Sequence, residues 1–173
     1  MSDEDVKSYD TFILPPSVVS RMDVSRLLTE VERLANEITT DEIRHKDDEG
    51  YEAARPTLSD LLSDFLQLNN LSLDGSRSRS ELIKQLRQLK DSVRVVHMTF
   101  ATTTDRESLG TLVTWLREST HPQTVVAIGM QPALVAGVYL RTPNHVYDLS
   151  LRAKLKENHS KLIDALEELR GRR

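Results

Sequence analysis

The sequence predicts an α+β protein, in which a reduced N-terminal helical bundle is followed by a small α/β domain with a four-strand sheet and a long C-terminal helix. Three observations predict it. Val24, Leu27, Leu28, Val31, Leu34, Ala35 and Ile38 recur at helical intervals on one stripe, and two later leucine-rich stretches of the first half do the same. At Asp91-Ser92 the hydrophobic period changes from helical to alternating. Thr124 to Leu155 then interleaves apolar β-branched runs with Gly, Pro and Asn before an amphipathic run, the pattern of two or three short strands and a covering helix. On this reading residues 1–17 are an acidic flexible N-terminus, 18–91 a helical domain and 92–173 an α/β domain.

Taken in order, Phe12-Ile13-Leu14 before Pro15-Pro16 reads as a short extended anchor. Ser20 and Asp23 have capping-box spacing, with Asp standing where Glu or Gln is usual, and open the first helix. Its apolar stripe must be buried, either inside the domain or against a partner helix. Thr39 to Arg55 sets many carboxylates around Ile43, Tyr51 and two alanines, which reads as a frayed helix end or a charged linker. Past Pro56, Thr57 with Asp60 is expected to cap a helix carrying Leu58, Leu61, Leu62, Phe65, Leu66 and Leu68. Asn69-Asn70 and Asp74-Gly75 mark turns, and Ser76 to Ser80 reads as a loop whose Ser80 caps the helix of Leu82, Ile83, Leu86 and Leu89.

In the second half, Val93, Val95 and His97 alternate with Arg94, Val96, Met98 and Phe100 in a strand. Thr104-Asp105-Arg106-Glu107 fits a capping box for a helix buried through Leu109, Leu112, Val113 and Leu116, with Trp115 beside that face. Strands are expected at Val125–Ile128, Leu134–Arg141 and His145–Asp148. Between the last two, Pro143 holds φ at about −65°, which excludes a type I′ turn and favours a four-residue loop around a type I turn. Leu134, Ala136, Val138 and Leu140 should share a face; Gly137 lies on the other, where missing bulk permits a bulge or a close approach. Leu151, Leu155, Leu162, Ile163, Leu166 and Leu169 form the stripe of the last helix.

Composition narrows the chemistry. The absence of cysteine excludes a disulfide scaffold, a thiolate metal site and a thiol nucleophile, and 5% aromatic content supplies few rings for stacking bases. The net charge of −4 conceals 19 acidic against 12 basic side chains up to Asp91 and 8 against 11 afterwards, so the halves suit different partners. A nucleic-acid binder would need a basic face, and Arg77 and Arg79 without aromatic support do not make one. No apolar run reaches the ~20 residues of a membrane span, and the acidic start is unlike a signal peptide, which points to the cytoplasm or a membrane-attached complex. His97 reads as a half-buried structural histidine, and His121, His145 and His159 lack the i, i+4 partner of a helical metal site. The six glycines form no phosphate loop, no Gly-x-Ser-x-Gly elbow occurs, and the carboxylates fall in exposed helical runs. The expectation is a non-catalytic protein with no cofactor and no metal.

Val93-Arg94-Val95-Val96, a capped helix, Val125-Val126-Ala127-Ile128, the run Pro132 to Arg141 and the run Tyr147 to Leu155 follow in an order that resembles the C-terminal domain of the ATP synthase delta subunit, the oligomycin sensitivity conferring protein of mitochondria. The family pattern ends a strand and turn in Asp-Pro-x-Leu-Ile-Gly-Gly, continues with a strand closed by Arg and a Gly-Asp turn, and opens the last helix with Asp-x-Ser-hydrophobic-x-x-x-Leu. Pro132, Leu134, Gly137, Arg141, Asp148, Ser150, Leu151 and Leu155 match it. Gln131 stands for the Asp, Ala136 for the first glycine and Pro143-Asn144 for Gly-Asp. The resemblance covers roughly Val93 to Ile163; the first half lacks the Tyr-Ala-x-Ala-Leu opening and the length of a six-helix bundle.

The resemblance implies a non-catalytic peripheral-stalk (stator) subunit of a rotary proton-translocating ATP synthase. Its implied role is to clamp the catalytic head, through the N-terminal tails of the alpha subunits, to the C-terminal helices of the b subunits, peripherally at the cytoplasmic face of the bacterial membrane. Under that implication the candidate contact residues are Val24, Leu27, Leu28, Val31, Leu34, Leu62 and Phe65 in the first half and Tyr139, Arg141 and Tyr147 in the second. The alternative is a free-standing cytoplasmic adaptor or regulatory interaction module with the same strand-helix-hairpin layout.

Overall fold

The computed structural model describes residues 8–45, 56–134, 136–142, 144–159, 161, 163, 167 and 168. The chain divides into two compact units, Met1–Arg94 with Gly110–Val125 and Val95–Leu109 with Val126–Arg173.

Helix α1 (Arg21–Arg44) opens the first unit with the expected capping box. Ser20 Oγ accepts from the Asp23 N–H, and the Asp23 carboxylate accepts from the Ser20 N–H at 2.8 Å and the Val19 N–H at 3.1 Å. The shorter Asp therefore does the work of Glu, because the chain before the helix folds back onto it. The helix runs on through Thr39 to Arg44; the rest of the charged stretch, 46–55, lies outside the described residues. Helix α2 (Asp60–Asn69) is capped by Ser59, not Thr57: Ser59 Oγ accepts from the Leu62 N–H, while Glu30 of α1 accepts from both the Ser59 N–H and its hydroxyl. Asn70 ends α2 in the left-handed region, φ +51°. Helix α3 (Ser76–Ser92) begins at Ser76 behind Gly75, so the serine-arginine string is its first turn and Ser80 donates to Ser76 O instead of capping.

That start places Arg79 where it is almost fully buried, donating to both oxygens of Glu42 at 3.0 Å and to Leu73 O at 3.2 Å. Arg21 to Lys90 O, Glu32 to Arg87 and Glu42 to Arg79 occur in that order along the pair, so α1 and α3 run antiparallel. The exposed Glu32–Arg87 ion pair contributes at most about 1 kcal/mol. The apolar stripe does the holding: Val24, Leu27, Val31 and Leu34 of α1, Leu62 and Phe65 of α2 and Leu86 and Leu89 of α3 are fully buried.

Residues 8–19 join this core as a strap that contains the anchor expected at Phe12-Ile13-Leu14. A short 3-10 turn, Tyr9–Thr11, leads into extended chain over Phe12 to Leu14 and then a turn in which the Val18 N–H donates to Pro15 O at 3.0 Å; Phe12, Leu14, Val18 and Val19 are buried while Ile13 is exposed. Phe12 meets Phe65 edge-on at 5.4 Å. The buried strap carbonyls of Leu14, Pro15 and Val18 accept from the Arg117 guanidinium, whose Nε donates to Thr124 O. Burial pushes the Arg117 pKa down to about 10, so it remains charged at neutral pH, with carbonyl dipoles as its counter-charges. These bonds explain why Gly110–Val125 belongs with the first unit.

The second unit holds a mixed four-stranded sheet of order β2-β1-β3-β4, from β1 (Arg94–Phe100), β2 (Thr124–Met130), β3 (Gly137–Arg141) and β4 (Val146–Ser150). Helix α4 (Arg106–Ser119) joins β1 to β2. Its cap is Asp105, one residue later than expected: the carboxylate accepts from the Ser108 N–H at 2.8 Å and the Ser108 hydroxyl at 2.7 Å. Leu134, expected in a strand, instead ends a 3-10 turn, Pro132–Leu134, so β3 starts only at Gly137. Four residues, 142–145, connect β3 to β4; Thr142 N–H donates to His145 O, and Thr142 Oγ1 accepts the return bond from His145 N–H. The turn type rests on Pro143, which lies outside the described residues. Ser150 caps helix α5 (Leu151–Glu157), accepting from the Ala153 N–H; beyond it His159, Lys161, Ile163, Glu167 and Glu168 are again helical, whereas Leu162, Leu166 and Leu169 of the expected stripe lie outside the described residues.

Gly137 is required where β3 begins. Its φ is +96°, and a Cβ there would stand 2.4 Å from Leu149 O and 2.9 Å from Ser150 Cα. This is the close approach that the sequence suggests, with β4 as the approaching segment.

Candidate partner surfaces

Strand register sorts the side chains of the second unit into two faces, because residues directly opposite one another share a face. Met98, Leu140 and Tyr147 form one cross-strand row, and Phe100, Val138 and Leu149 the next. Strand β2 adds to the same side. A Cβ on Gly129 would lie 3.3 Å from Thr99 Oγ1, so Ile128 and Met130, which alternate with Gly129, point the way Met98 and Phe100 do. The face is apolar across all four strands. Its centre is buried or half-buried, but along the two edge strands Met130 is 62%, Leu149 54%, Tyr147 50% and Ile128 49% exposed. Exposed apolar side chains therefore stand on both edge strands of this face.

The opposite face is more polar, with His97, Arg141 and Val146 in one row and Thr99, Tyr139 and Asp148 in the next. A cleft of about 660 Å³ separates Tyr139 and Asp148 from Arg152, Ala153 and Lys156 of α5. The Ser150 hydroxyl, and after it the Ser150 N–H at 3.0 Å, hold the Asp148 carboxyl below its usual range. Asp148 is therefore an ionised brace at the start of α5. Its low pKa makes it a poor proton donor or acceptor near neutral pH. Among the described residues no cluster of three or more His, Asp or Glu is placed to hold a metal ion. His97 is exposed on the sheet instead of half-buried, and His121 Nδ1 accepts from the Gln123 N–H.

The sequence predicts that helix α5 covers the sheet with its apolar stripe, yet no residue of it is buried, and Leu151, Leu155 and the more distal Ile163 are exposed. The second unit therefore presents two apolar surfaces.

The candidate contact residues divide sharply. Val24, Leu27, Leu28, Val31 and Leu34 of α1 and Leu62 and Phe65 of α2 are buried within the first unit, where they form its core. Tyr139, half-buried, and Arg141, exposed, lie on the polar sheet face, and Tyr147 lies on the apolar one. Ile128, Met130 and Leu149 are exposed apolar residues that sequence reasoning misses. Their signal is present: Val126, Ile128 and Met130 alternate against Ala127 and Gly129, and a strand read only as far as Ile128 hides it.

Among the described residues no helix is long and apolar enough to cross a membrane. No curated protein sequence matches the chain. Residues 52–162, well over half of the chain, match the family model of the ATP synthase delta (OSCP) subunit, and the match takes in α2 and α3 as well as the region from Val93 onward. The chain thus belongs to the ATP synthase delta (OSCP) subunit family, as a non-catalytic stator subunit of a membrane-associated ATP synthase complex.

Proposed function

We propose that this protein clamps the catalytic head of the synthase to its peripheral stalk, with the N-terminal tails of the alpha subunits on the first unit and the C-terminal helices of the b subunits on the second, peripherally at the cytoplasmic face of a bacterial membrane. The observation that carries the reading is the apolar sheet face of the second unit, with Ile128, Met130, Tyr147 and Leu149 exposed at its margins. A face of this kind fits the apolar stripe of an amphipathic helix. The exposed Leu151 and Leu155 on α5 supply a second contact for a paired stalk. The division into two compact units supports a tether that holds one partner on each. A tagged copy expressed in its host and purified from solubilised membranes should bring down alpha and b subunits together. Recovery of neither overturns the clamp. Recovery of b but not alpha confines the contact to the second unit. No observation favours the free-standing adaptor.

A further inference from the structure

The strap is held as a peptide ligand is held. Side chains from three separate parts of the first unit read its main chain and leave its side chains to shape. Gln85 of α3 accepts from the Tyr9 N–H at 2.6 Å. Gln123 donates to the carbonyls of Tyr9 and Phe12. Asn69 of α2 accepts from the Ile13 N–H at 2.8 Å and donates to Ile13 O at 2.9 Å, pairing with both groups of one residue as a neighbouring strand would. Asn69 and Gln123 are almost completely buried, so these amides serve the strap and not solvent. Pro15 and Pro16 present carbonyls and no N–H; Arg117, which only donates, bonds the carbonyls of Leu14, Pro15 and Val18, and Pro15 O also accepts from the strap's own Val18 N–H. Phe12 and Leu14 enter the core while Ile13, between them, stays 52% exposed, the alternation of an extended peptide in a groove.

We propose that the first unit carries a main-chain-reading peptide groove, specific for an extended apolar-x-apolar-Pro-Pro segment, which the chain fills with its own residues 9–18 and which accepts the same segment supplied in trans. The inference is independent of the clamp. A covalently attached strap has an effective concentration on the order of millimolar, so a free peptide competes poorly with an intact one. Weakening the strap in cis should open the groove.

The probe is a fluorescent peptide of residues 8–19, titrated into the full chain by anisotropy, with circular dichroism recorded in parallel. The unmodified chain should show no binding at concentrations about 100-fold below that effective molarity. The double variant Phe12→Ala, Leu14→Ala should bind the peptide at least tenfold more tightly than the unmodified chain, and binding should raise its melting temperature. A peptide carrying the same two alanines should not bind. If the double variant is unfolded alone, regain of helical signal on adding the wild-type peptide supports the groove. The single variant Leu14→Ala covers the remaining case. A folded single variant that fails to bind, with no regain of structure by the double variant, overturns the proposal.

Discussion

Alanine at position 137 puts a methyl group where the β3–β4 hairpin has backbone. The nearest atoms to that Cβ are Leu149 O at 2.4 Å, Ser150 Cα at 2.9 Å and Leu149 C at 3.2 Å, none of which can rotate away. The φ of +96° adds strain that a non-glycine residue carries at a cost of about 1–3 kcal/mol. Relieving the clash separates the strands at the Gly137–Ser150 pair and forfeits about one net hydrogen bond, about 1 kcal/mol more. Gly137→Ala should therefore destabilise the protein by about 2–4 kcal/mol, a large share of the ~5–15 kcal/mol typical of a folded domain. Gly129→Ala is the matched control. Its Cβ meets the Thr99 hydroxyl at 3.3 Å, a side chain that can turn, so the loss should stay below about 1 kcal/mol. Urea unfolding followed by far-UV circular dichroism measures both. A Gly137→Ala variant within about 0.5 kcal/mol of the unmodified protein, or one less harmed than Gly129→Ala, refutes the reasoning.

Removing Asn69 as Asn69→Ala takes away the side-chain amide that bonds both the Ile13 N–H and the Ile13 C=O, and should cost about 2–4 kcal/mol in the same assay. Arg79→Ala strands Leu73 O and should cost about 1–3 kcal/mol, whereas Glu42→Gln, whose side chain is 48% exposed, should change stability by less than about 1 kcal/mol. Asp148 and Asp105 have depressed pKa values, Asp105 chiefly through the Ser108 N–H and then its hydroxyl. Their stabilisation is present above the unfolded carboxylate pKa of about 3.9 and is lost as pH falls through the lower folded values, so melting temperature should fall less on acidification in the double variant Asp105→Asn, Asp148→Asn than in the unmodified chain. Met130→Glu with Leu149→Glu should leave urea stability within about 1 kcal/mol, because both sites are exposed, yet abolish co-purification with the b subunit.

What the sequence makes legible is local. The capping box at Ser20 and Asp23 and the stripe from Val24 to Leu34 are written in spacings of three and four residues, and the helix follows them. The other caps sit a residue or more away from where spacing puts them, because several hydroxyls and carboxylates nearby offer the same bond. A distant group chooses among them, as Glu30 does when it holds Ser59. The strap is legible only in part. Phe12-Ile13-Leu14 reads as an anchor, but the groups that hold its backbone, Asn69, Gln123 and Arg117, lie far along the chain. Of the candidate contacts, the α1 stripe can be recognised as buried by its period, but period carries no information on whether the cover is the chain itself. The sheet face needs the pairing of β1 with β3, a contact set by topology.

The hairpin that Gly137 makes possible also has a direction. Ser150, at its open end, passes straight into α5, and the Leu151 N–H is bonded to Ala136 O just outside the last strand pair. A load drawing α5 away from Pro132–Leu134 acts along the cross-strand bonds, which lie perpendicular to the strands, and opens them singly from Gly137–Ser150 toward Arg141–Val146. Tension parallel to the strands strains every pair at once. The joint is thus compliant to peeling and stiff to sliding, and the bond between Leu151 and Ala136 is the first to carry a peeling force.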